Sequence, residues 1–188
     1  EEIQKCIENN DRAIVTTFTK RLAEELEVTE ETIRRDLEKI NVDVGGMKTC
    51  SSQHTTLAFV SLNEKGERSF SFCRNPGADT QISFEDVDKS YLDQARILHV
   101  GSLSLTQEPA KSTTLKMIEY VKKSGGLVSY DPNWRANLWS DREKALDELR
   151  SIFTYADIVK VSDEELKLLF GDVTYEEGAA KITALGAK

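Results

Sequence analysis

The chain has 188 residues, of which 39% are hydrophobic and 31% are charged, and its formal net charge is −8. This composition supports one substantial core, or one domain with a small extra module, and it excludes a disordered or fibrous protein and disfavours nonspecific binding to nucleic acid or anionic lipid. No apolar run reaches the roughly 20 residues of a membrane-spanning helix, and the acidic first residues are unlike a signal peptide, so we expect a cytoplasmic protein without a membrane partner.

Residues 1–40 lack glycine and proline and are predicted to be helical. Strand-like and turn-rich sequence begins near residues 42–46, so we divide the chain into a small helical segment, residues 1–41, and a main domain, residues 42–188. Early in the main domain, two runs at 55–62 and 68–72 are rich in β-branched and apolar residues and flank a turn. These two runs predict a β-hairpin.

Three short apolar segments follow, at residues 97–100, 126–130 and 158–161, spaced by about 30 residues. Helical patterns lie between them at residues 110–124 and 142–155, where apolar residues recur on one face. Strands that alternate with helices in this way predict parallel βαβ units. We expect helices to cover both faces of the resulting sheet.

Polar clusters follow each of these strands. Gly101 and Ser102 follow the first strand, residues 131–135 the second, and residues 162–165 the third. Since ligands of open α/β sheets bind beyond the carboxyl ends of the strands, the three clusters predict a binding site at one sheet edge. Within the second cluster Asp131, Asn133 and Arg135 alternate, so three different polar side chains can converge on one small ligand.

Two of these clusters also have a purely structural interpretation. Ser162 and Glu165 have the spacing of a capping box with Ser162 as the N-cap, although they could instead serve a nucleotide or a metal-bound water. Asp131 and Asn133 could contact a ligand or simply form the turn, because both residue types hydrogen-bond their own backbone in turns. Both alternatives stay open at this stage.

Other residues carry weaker signals. Trp134 and Trp139 could stack on a sugar or pack beneath the loop. The two histidines have no partner pattern for metal or acid-base chemistry, and His99 is predicted to be a strand residue near the sheet edge. Three widely spaced cysteines predict free thiols in a reducing compartment: Cys6, Cys50 and Cys73.

Five segments of the main domain have a distinctive order and spacing. Residues 74–79 read Arg-Asn-Pro-Gly-Ala-Asp, and residues 131–135 read Asp-Pro-Asn-Trp-Arg. The full set comprises residues 55–60, 68–79, 99–105 with Glu108 and Pro109, 131–135 and 156–166. On these segments, residues 42–188 resemble the middle portion of a fructokinase of the ribokinase-like (PfkB) sugar kinases.

This resemblance implies an α/β fold, a ribokinase-like parallel sheet flanked by helices, with a β-hairpin lid over about residues 55–79. It implies a transferase of carbohydrate metabolism that uses ATP and magnesium to phosphorylate a ketose such as fructose. Arg74, Asn133 and Arg135 would then lie on the sugar side, and Ser162 and Glu165 near the nucleotide or magnesium. The lid hairpin would allow a homodimer.

The chain also departs from this family pattern. Such kinases begin with a Gly-Gly segment and an asparagine that grip the sugar, and nothing similar precedes Val42. A Gly-Ala-Gly-Asp motif supplies their anion hole and catalytic base, and no such motif occurs before Lys188. We therefore assign no catalytic residue and expect the isolated chain to lack appreciable sugar kinase activity.

The N-terminal segment carries a second resemblance. Residues 21–37 read Arg-Leu-Ala-Glu-Glu-Leu-Glu-Val-Thr-Glu-Glu-Thr-Ile-Arg-Arg-Asp-Leu, which is similar to the helix-turn-helix of DeoR-type sugar-regulon repressors. That resemblance places Thr32, Arg34 and Arg35 at DNA. Residues 1–40 hold seven basic and eleven acidic residues, a net charge of 7 − 11 = −4, which is a poor electrostatic footprint for DNA binding.

Three hypotheses of different classes follow. The first is a fructokinase-type carbohydrate kinase whose partners are a small-molecule sugar and ATP. The second is a DNA-binding transcriptional regulator of a sugar operon. The third is structural: a fused or truncated reading frame whose pieces no longer act together, or which binds a partner through an unpaired sheet edge.

Overall fold

The computed structural model describes residue 35, residues 37–62, residue 64, residues 68–74 and residues 76–188. Most of the predicted helix-turn-helix segment, with Thr32 and Arg34, lies outside the described residues, so that assignment stays a prediction. Arg35 is described and is helical. Within the described part of the chain, no helix is both long enough and apolar enough to span a membrane.

The chain divides into two compact units, residues 1–91 and residues 92–188. The division falls within the short helix α1 (Lys89–Gln94). The predicted domain boundary between residues 41 and 42 lies inside the first unit and stays a prediction.

The first unit contains the predicted β-hairpin. Strand β1 (Leu57–Leu62) pairs antiparallel with β2 (Arg68–Cys73), from Leu57 opposite Cys73 to Leu62 opposite Arg68. The structure thus confirms the hairpin, with β1 beginning two residues later than predicted. Phe59 and Val60 lie on opposite faces of the hairpin, and both are exposed.

The second unit is built on a three-stranded parallel sheet in the order β3, β4, β5. The strands are β3 (Ile97–Gly101), β4 (Leu127–Asp131) and β5 (Ile158–Val159). The helices of this unit follow the strands in chain order as α2 (Ala110–Lys123), α3 (Arg142–Ile152), α4 (Asp163–Phe170) and α5 (Tyr175–Ala184). Three strands separated by helices confirm the predicted βαβ units, and only β5 is shorter than predicted.

One face of this sheet carries the core. Val128 and Tyr130 of β4 are fully buried, and α2 and α3 contribute Ile118 and Leu149 to the same cluster. The alternation of buried and exposed residues along β3 and β4 is the two-residue period of a half-buried strand. A half-buried strand with alternating burial and two amphipathic helices therefore account for this side of the fold.

The opposite face of the sheet differs from the prediction. Ile97 and Leu127 pair across β3 and β4 and are each 44% exposed, and Ile158 of β5 is 43% exposed. We expected helices over both faces, but the apolar residues of this face remain open to solvent. Right-handed crossovers place α2 and α3 on the same side of the sheet, which is why these two helices leave the other side uncovered.

A buried carboxylate holds the first residues of β4. Asp157 precedes β5, and its side chain is 8% exposed. It accepts hydrogen bonds from Val128 N at 2.9 Å and from Lys122 Nζ at 2.6 and 2.8 Å. Lys188 Nζ lies 3.7 Å away. Burial by itself raises the pKa of Asp157, but the hydrogen bonds from Lys122 and Val128 outweigh burial and hold the pKa below its ordinary value. This ion pair ties α2, β4 and the start of β5 together.

Candidate functional site

The loop that follows β4, residues 131–135, lies at the carboxyl edge of the sheet. Asn133 has a positive φ of 45°, a conformation that asparagine tolerates better than most residues. Asp131 Oδ1 accepts from the backbone N–H of Asn133 at 3.2 Å, so the predicted turn role of this pair is present. Lys160 Nζ lies 3.1 Å from Asp131 Oδ2 and balances its charge.

The end of β3 supports the first half of this loop. The N–H of Ser102 donates to Pro132 O at 3.1 Å, and the Ser102 hydroxyl lies 3.5 Å from Asn133 O. Gly101 sits so close that a Cβ there would be 3.2 Å from Asp131 O. The two predicted polar clusters after β3 and β4 therefore lie side by side, and the glycine permits their close approach.

The start of α4 supports the second half of the loop. Ser162 is the N-cap and forms a capping box with Glu165, as the sequence predicts. Glu165 Oε2 accepts from Ser162 N at 2.8 Å and from Ser162 Oγ at 2.9 Å, and Oε1 accepts from Trp134 N at 2.7 Å. The carboxylate is therefore both a helix cap and a link to the loop.

An open cleft of about 290 Å³ lies between the loop and α4. It is lined by Trp134, Arg135, Ser162, Glu164, Glu165 and Leu168. Arg135, predicted for the sugar side, thus shares a cleft with Ser162 and Glu165, predicted for the nucleotide side. The Arg135 side chain also donates from Nη1 to Trp134 O at 2.7 Å.

The two tryptophans pack rather than project into solvent. The rings of Trp134 and Trp139 are stacked, with centroids 6.1 Å apart and 17° between their planes. Both contact the hydrophobic core, which matches the packing alternative of the sequence analysis. Trp139 Nε1 is buried without a hydrogen-bond partner within the described residues.

A buried tyrosine lies beneath the site. Burial, followed by the negative charges of Glu165 and Asp131, strongly raises the pKa of Tyr130, which therefore stays protonated. Its hydroxyl donates to Leu149 O at 3.2 Å. Tyr130 is a neutral part of the floor that holds β4 against α3.

Arg74 belongs to the first unit. Its side chain is 3% exposed and pairs with Asp79, with Nε and Nη2 lying 2.7 and 2.6 Å from Oδ2. The Thr56 hydroxyl donates to the other oxygen of Asp79. A Cβ on Gly77 would overlap the Thr56 hydroxyl and Oδ1 of Asp79, so this network leaves no room for a side chain there. Arg74 is thus engaged within its own segment, and its role on the sugar side stays a prediction.

The side chains near the cleft determine how the predicted magnesium could be held. Within the described ranges, no group of three or more His, Cys, Asp or Glu side chains is placed to hold a metal ion. Both oxygens of Glu165 already accept hydrogen bonds. Magnesium commonly binds through one or two carboxylates together with substrate phosphates, so this edge fits a metal carried by a nucleotide better than a resident metal.

Two contacts of this site were not predicted from the sequence. Lys160 pairs with Asp131, and its position just after β5, next to the end of β4, could have indicated the pair. The bond from Trp134 N to Glu165 involves a backbone group, which leaves no mark in the sequence.

The sequence profile of the pfkB family carbohydrate kinases matches residues 28–188. The match covers more than half of the chain and begins before the predicted main domain at residue 42. It includes Thr32, Arg34 and Arg35, the three residues of the DNA-binding alternative.

Individual relatives agree with this match. Probable fructokinase-7 of Arabidopsis thaliana is 43% identical over 138 residues, which are 73% of this chain and 40% of that protein. Fructokinase from Xylella fastidiosa with bound ATP superposes with a TM-score of 0.70 and 31% identity, over 83% of this chain and 48% of that one. Fructokinase from Vibrio cholerae O395 in its fructose, ADP and calcium ion bound form gives 0.72 and 32%, over 82% and 50%.

These superpositions confirm the predicted α/β fold class, a ribokinase-like parallel sheet flanked by helices. The chain spans about half the length of these solved structures and about two-fifths of the Arabidopsis relative.

Proposed function

Because this chain belongs to the pfkB family of carbohydrate kinases, we propose that it forms part of a fructokinase-type enzyme that transfers phosphate from ATP to a ketose such as fructose. The relatives at about 43% identity are named as fructokinases, which supports this substrate class. The whole-protein activity is a proposal, because the chain spans only part of the length of those relatives.

The observation that carries the proposal is the cleft between the loop after β4 and α4. Arg135 and Ser162 line the same cleft, and Asn133 lies beside it in the same loop. An asparagine and an arginine can hydrogen-bond the hydroxyl groups of a sugar, while the first turn of a helix offers backbone N–H groups to a phosphate. We propose that Asn133 and Arg135 bind sugar and that Ser162, with the first turn of α4, faces the nucleotide.

The cofactors that we propose are ATP and a divalent cation, by analogy with relatives described with ATP, or with ADP and calcium. ATP with its cation would supply the phosphoryl group and neutralise the charge that develops on it. Three carboxylates stand in the first turn of α4, Asp163, Glu164 and Glu165, so a phosphate could approach this turn only with cationic charge beside it. Magnesium is our proposal for that cation.

A thermal melt followed by intrinsic fluorescence tests sugar binding, because both tryptophans, Trp134 and Trp139, lie in the loop region. Fructose should raise the transition midpoint, since a ligand that binds only the folded state stabilises it by mass action. Glucose at the same concentration tests the preference for a ketose. A melt that fructose does not shift at any soluble concentration, with or without magnesium ATP, would contradict the proposal.

A matched pair of variants locates the binding. Asn133→Gly removes the amide without strain, because glycine adopts a positive φ freely, and it should abolish the fructose shift. Asn137→Ala removes an exposed amide from the same connection and should leave the shift intact. Equal fructose shifts in the two variants would show that the sugar binds elsewhere.

The exposed hairpin supports further proposals about assembly. Phe59 and Val60 are exposed on opposite faces of a two-stranded sheet, which is marginally stable without a partner. We propose that the hairpin is a lid that also forms a homodimer. We also propose that the protein works in the cytoplasm. DNA binding has weaker support, because the residues that it would use fall within the kinase family match.

A further inference from the structure

Glu165 connects two elements that the proposed function treats separately. It stands in the first turn of α4, yet it also contacts the loop whose side chains are proposed for the sugar. The carboxylate is buried, with the residue 7% exposed, and it forms no ion pair within the described part of the chain. A buried charge without a counterion is stable only when several hydrogen bonds satisfy it.

Three donors satisfy this charge. Ser162 N and Ser162 Oγ both donate to Oε2, at 2.8 and 2.9 Å, and Trp134 N donates to Oε1 at 2.7 Å. Hydrogen bonds from backbone N–H groups to a carboxylate are short and roughly twice as strong as neutral ones. The contact to Trp134 therefore fixes the loop to α4 at one backbone position.

That position lies between the two residues proposed to bind sugar. Trp134 separates Asn133 from Arg135 in sequence, so the place of its amide determines where both neighbouring side chains begin. Ser102 and Asp131 hold the first half of the loop through Pro132 and Asn133. Glu165 holds the second half.

We propose that Glu165 is a positioning residue that holds Asn133 and Arg135 in place by anchoring the amide of Trp134. This inference rests on the proposed function for its consequence, since the positioned side chains are those assigned to sugar. Its physical content, the anchoring of the loop, can be measured without any sugar.

Acrylamide quenching of Trp134 measures that anchoring. In a Trp139→Phe background Trp134 is the single tryptophan of the chain, so the fluorescence reports on the loop alone. In Glu165→Gln one carboxylate oxygen is replaced by an NH₂ group, which donates hydrogen bonds and would face groups that also donate. Either the contact with Trp134 N or the contacts with Ser162 must therefore break. We expect the quenching constant of Trp134 to rise about twofold as the loop opens locally, and fructose affinity to fall about tenfold.

Two controls separate positioning from general loss of stability. Glu177→Gln changes the same capping-box residue in α5, where the carboxylate accepts from Thr174 N at 2.9 Å, and it should leave Trp134 quenching unchanged. Asp157→Asn weakens the opposite end of β4 and should lower the melting midpoint without raising the quenching. If Asp157→Asn raises the quenching as much as Glu165→Gln does, the role of Glu165 is merely structural and the inference fails.

If Glu165→Gln does not fold, the unmodified chain still decides the question. Hydrogen exchange of the Trp134 amide should be slow compared with that of Ala136, an exposed residue in the same connection. Equal exchange rates at the two amides would overturn the inference.

The two proposals fail separately. If the parent does not bind fructose but Glu165→Gln still exposes Trp134, the sugar assignment is wrong and the anchoring stands. If the parent binds fructose and Glu165→Gln changes neither quenching nor affinity, the sugar assignment stands and the role proposed for Glu165 is wrong.

Discussion

The two ends of β4 are held by different carboxylates. Asp157, which holds the first residues of β4, has cationic partners, whereas Glu165, which holds the loop after β4, has neutral partners. Asp157 accepts from Lys122 and from Val128 N, and Glu165 accepts from Ser162 and from Trp134 N. Both carboxylates come from the chain around β5, and both bind backbone N–H groups of the β4 region. The same type of side chain thus holds the core at one end and the candidate site at the other.

Because the two carboxylates have different partners, we expect the loss of each to affect the unit differently. The Asp157 cluster joins α2, β4 and the segment before β5, so its loss should weaken the whole unit. The Glu165 cluster joins a loop to the first turn of a helix, so its loss should open the site before it unfolds the sheet. Variants at the two ends of β4 can separate these outcomes.

The largest expected effect is that of Asp157→Asn. The variant removes the charge that pairs with Lys122 and leaves that ammonium group without its partner. Because Lys122 is 29% exposed and can be hydrated, we expect a loss of about 2 kcal/mol of unfolding free energy, less than for a fully buried pair. Urea denaturation followed by far-ultraviolet circular dichroism measures this loss.

The control is an ion pair on α2, the helix that carries Lys122. Glu119 and Lys123 form an exposed pair at 3.7 Å, and Glu119→Gln should leave the urea midpoint unchanged within error. If both variants shift the midpoint equally, burial does not increase the contribution of the Asp157 pair to the unfolding free energy.

Acid pH should reproduce the effect of Asp157→Asn. The pKa of Asp157 in the folded chain lies below its ordinary value of 3.8, with Lys122 and Lys188 beside it. Its stabilisation is therefore fully present above about pH 5 and is lost as the pH falls below 3.8 through the folded-state pKa. The difference in unfolding free energy between wild type and Asp157→Asn should shrink over that range, and a constant difference would contradict the assignment.

The two capping boxes of this unit sharpen the comparison at the site. Ser162→Ala and Thr174→Ala each remove an N-cap hydroxyl, and each should lower stability by about 1 kcal/mol. Only Ser162 also donates to the carboxylate that holds Trp134, so only Ser162→Ala should change the tryptophan emission spectrum of the folded chain. An emission change of equal size in both variants would mean that the tryptophans report on stability alone.

The sequence predicted the repeated strands, the hairpin and the capping box because each depends on local patterns. It did not predict the open face of the sheet, because Ile97, Leu127 and Ile158 have the apolar character of buried residues, and what covers a face is set by distant parts of the chain. The capping box follows from its Ser-x-x-Glu spacing, but the second oxygen of Glu165 reaches a backbone N–H 31 residues away, and such a contact has no signature in side-chain identity.

The ion pair at the end of β4 offers a weaker contrast with Asp157. Asp131 and Lys160 lie 3.1 Å apart with side chains 22% and 67% exposed. Lys160→Met should therefore change the unfolding free energy by no more than about 0.5 kcal/mol, since exposed pairs are screened by water. A loss as large as that of Asp157→Asn in the same urea titration would show that the two ends of β4 are equally sensitive to charge.

Two opposing contributions should nearly cancel in Trp139→Phe. Trp139 Nε1 is buried without a partner within the described residues, so the substitution removes an unsatisfied donor while keeping an aromatic ring against Trp134. The lost ring area and the removed polar penalty oppose one another, and we expect a net change within about 1 kcal/mol. The urea midpoint measures this balance. A loss well beyond that range would mean that the indole N–H has a partner in solution, and a bridging water held beneath the loop would then become part of the site.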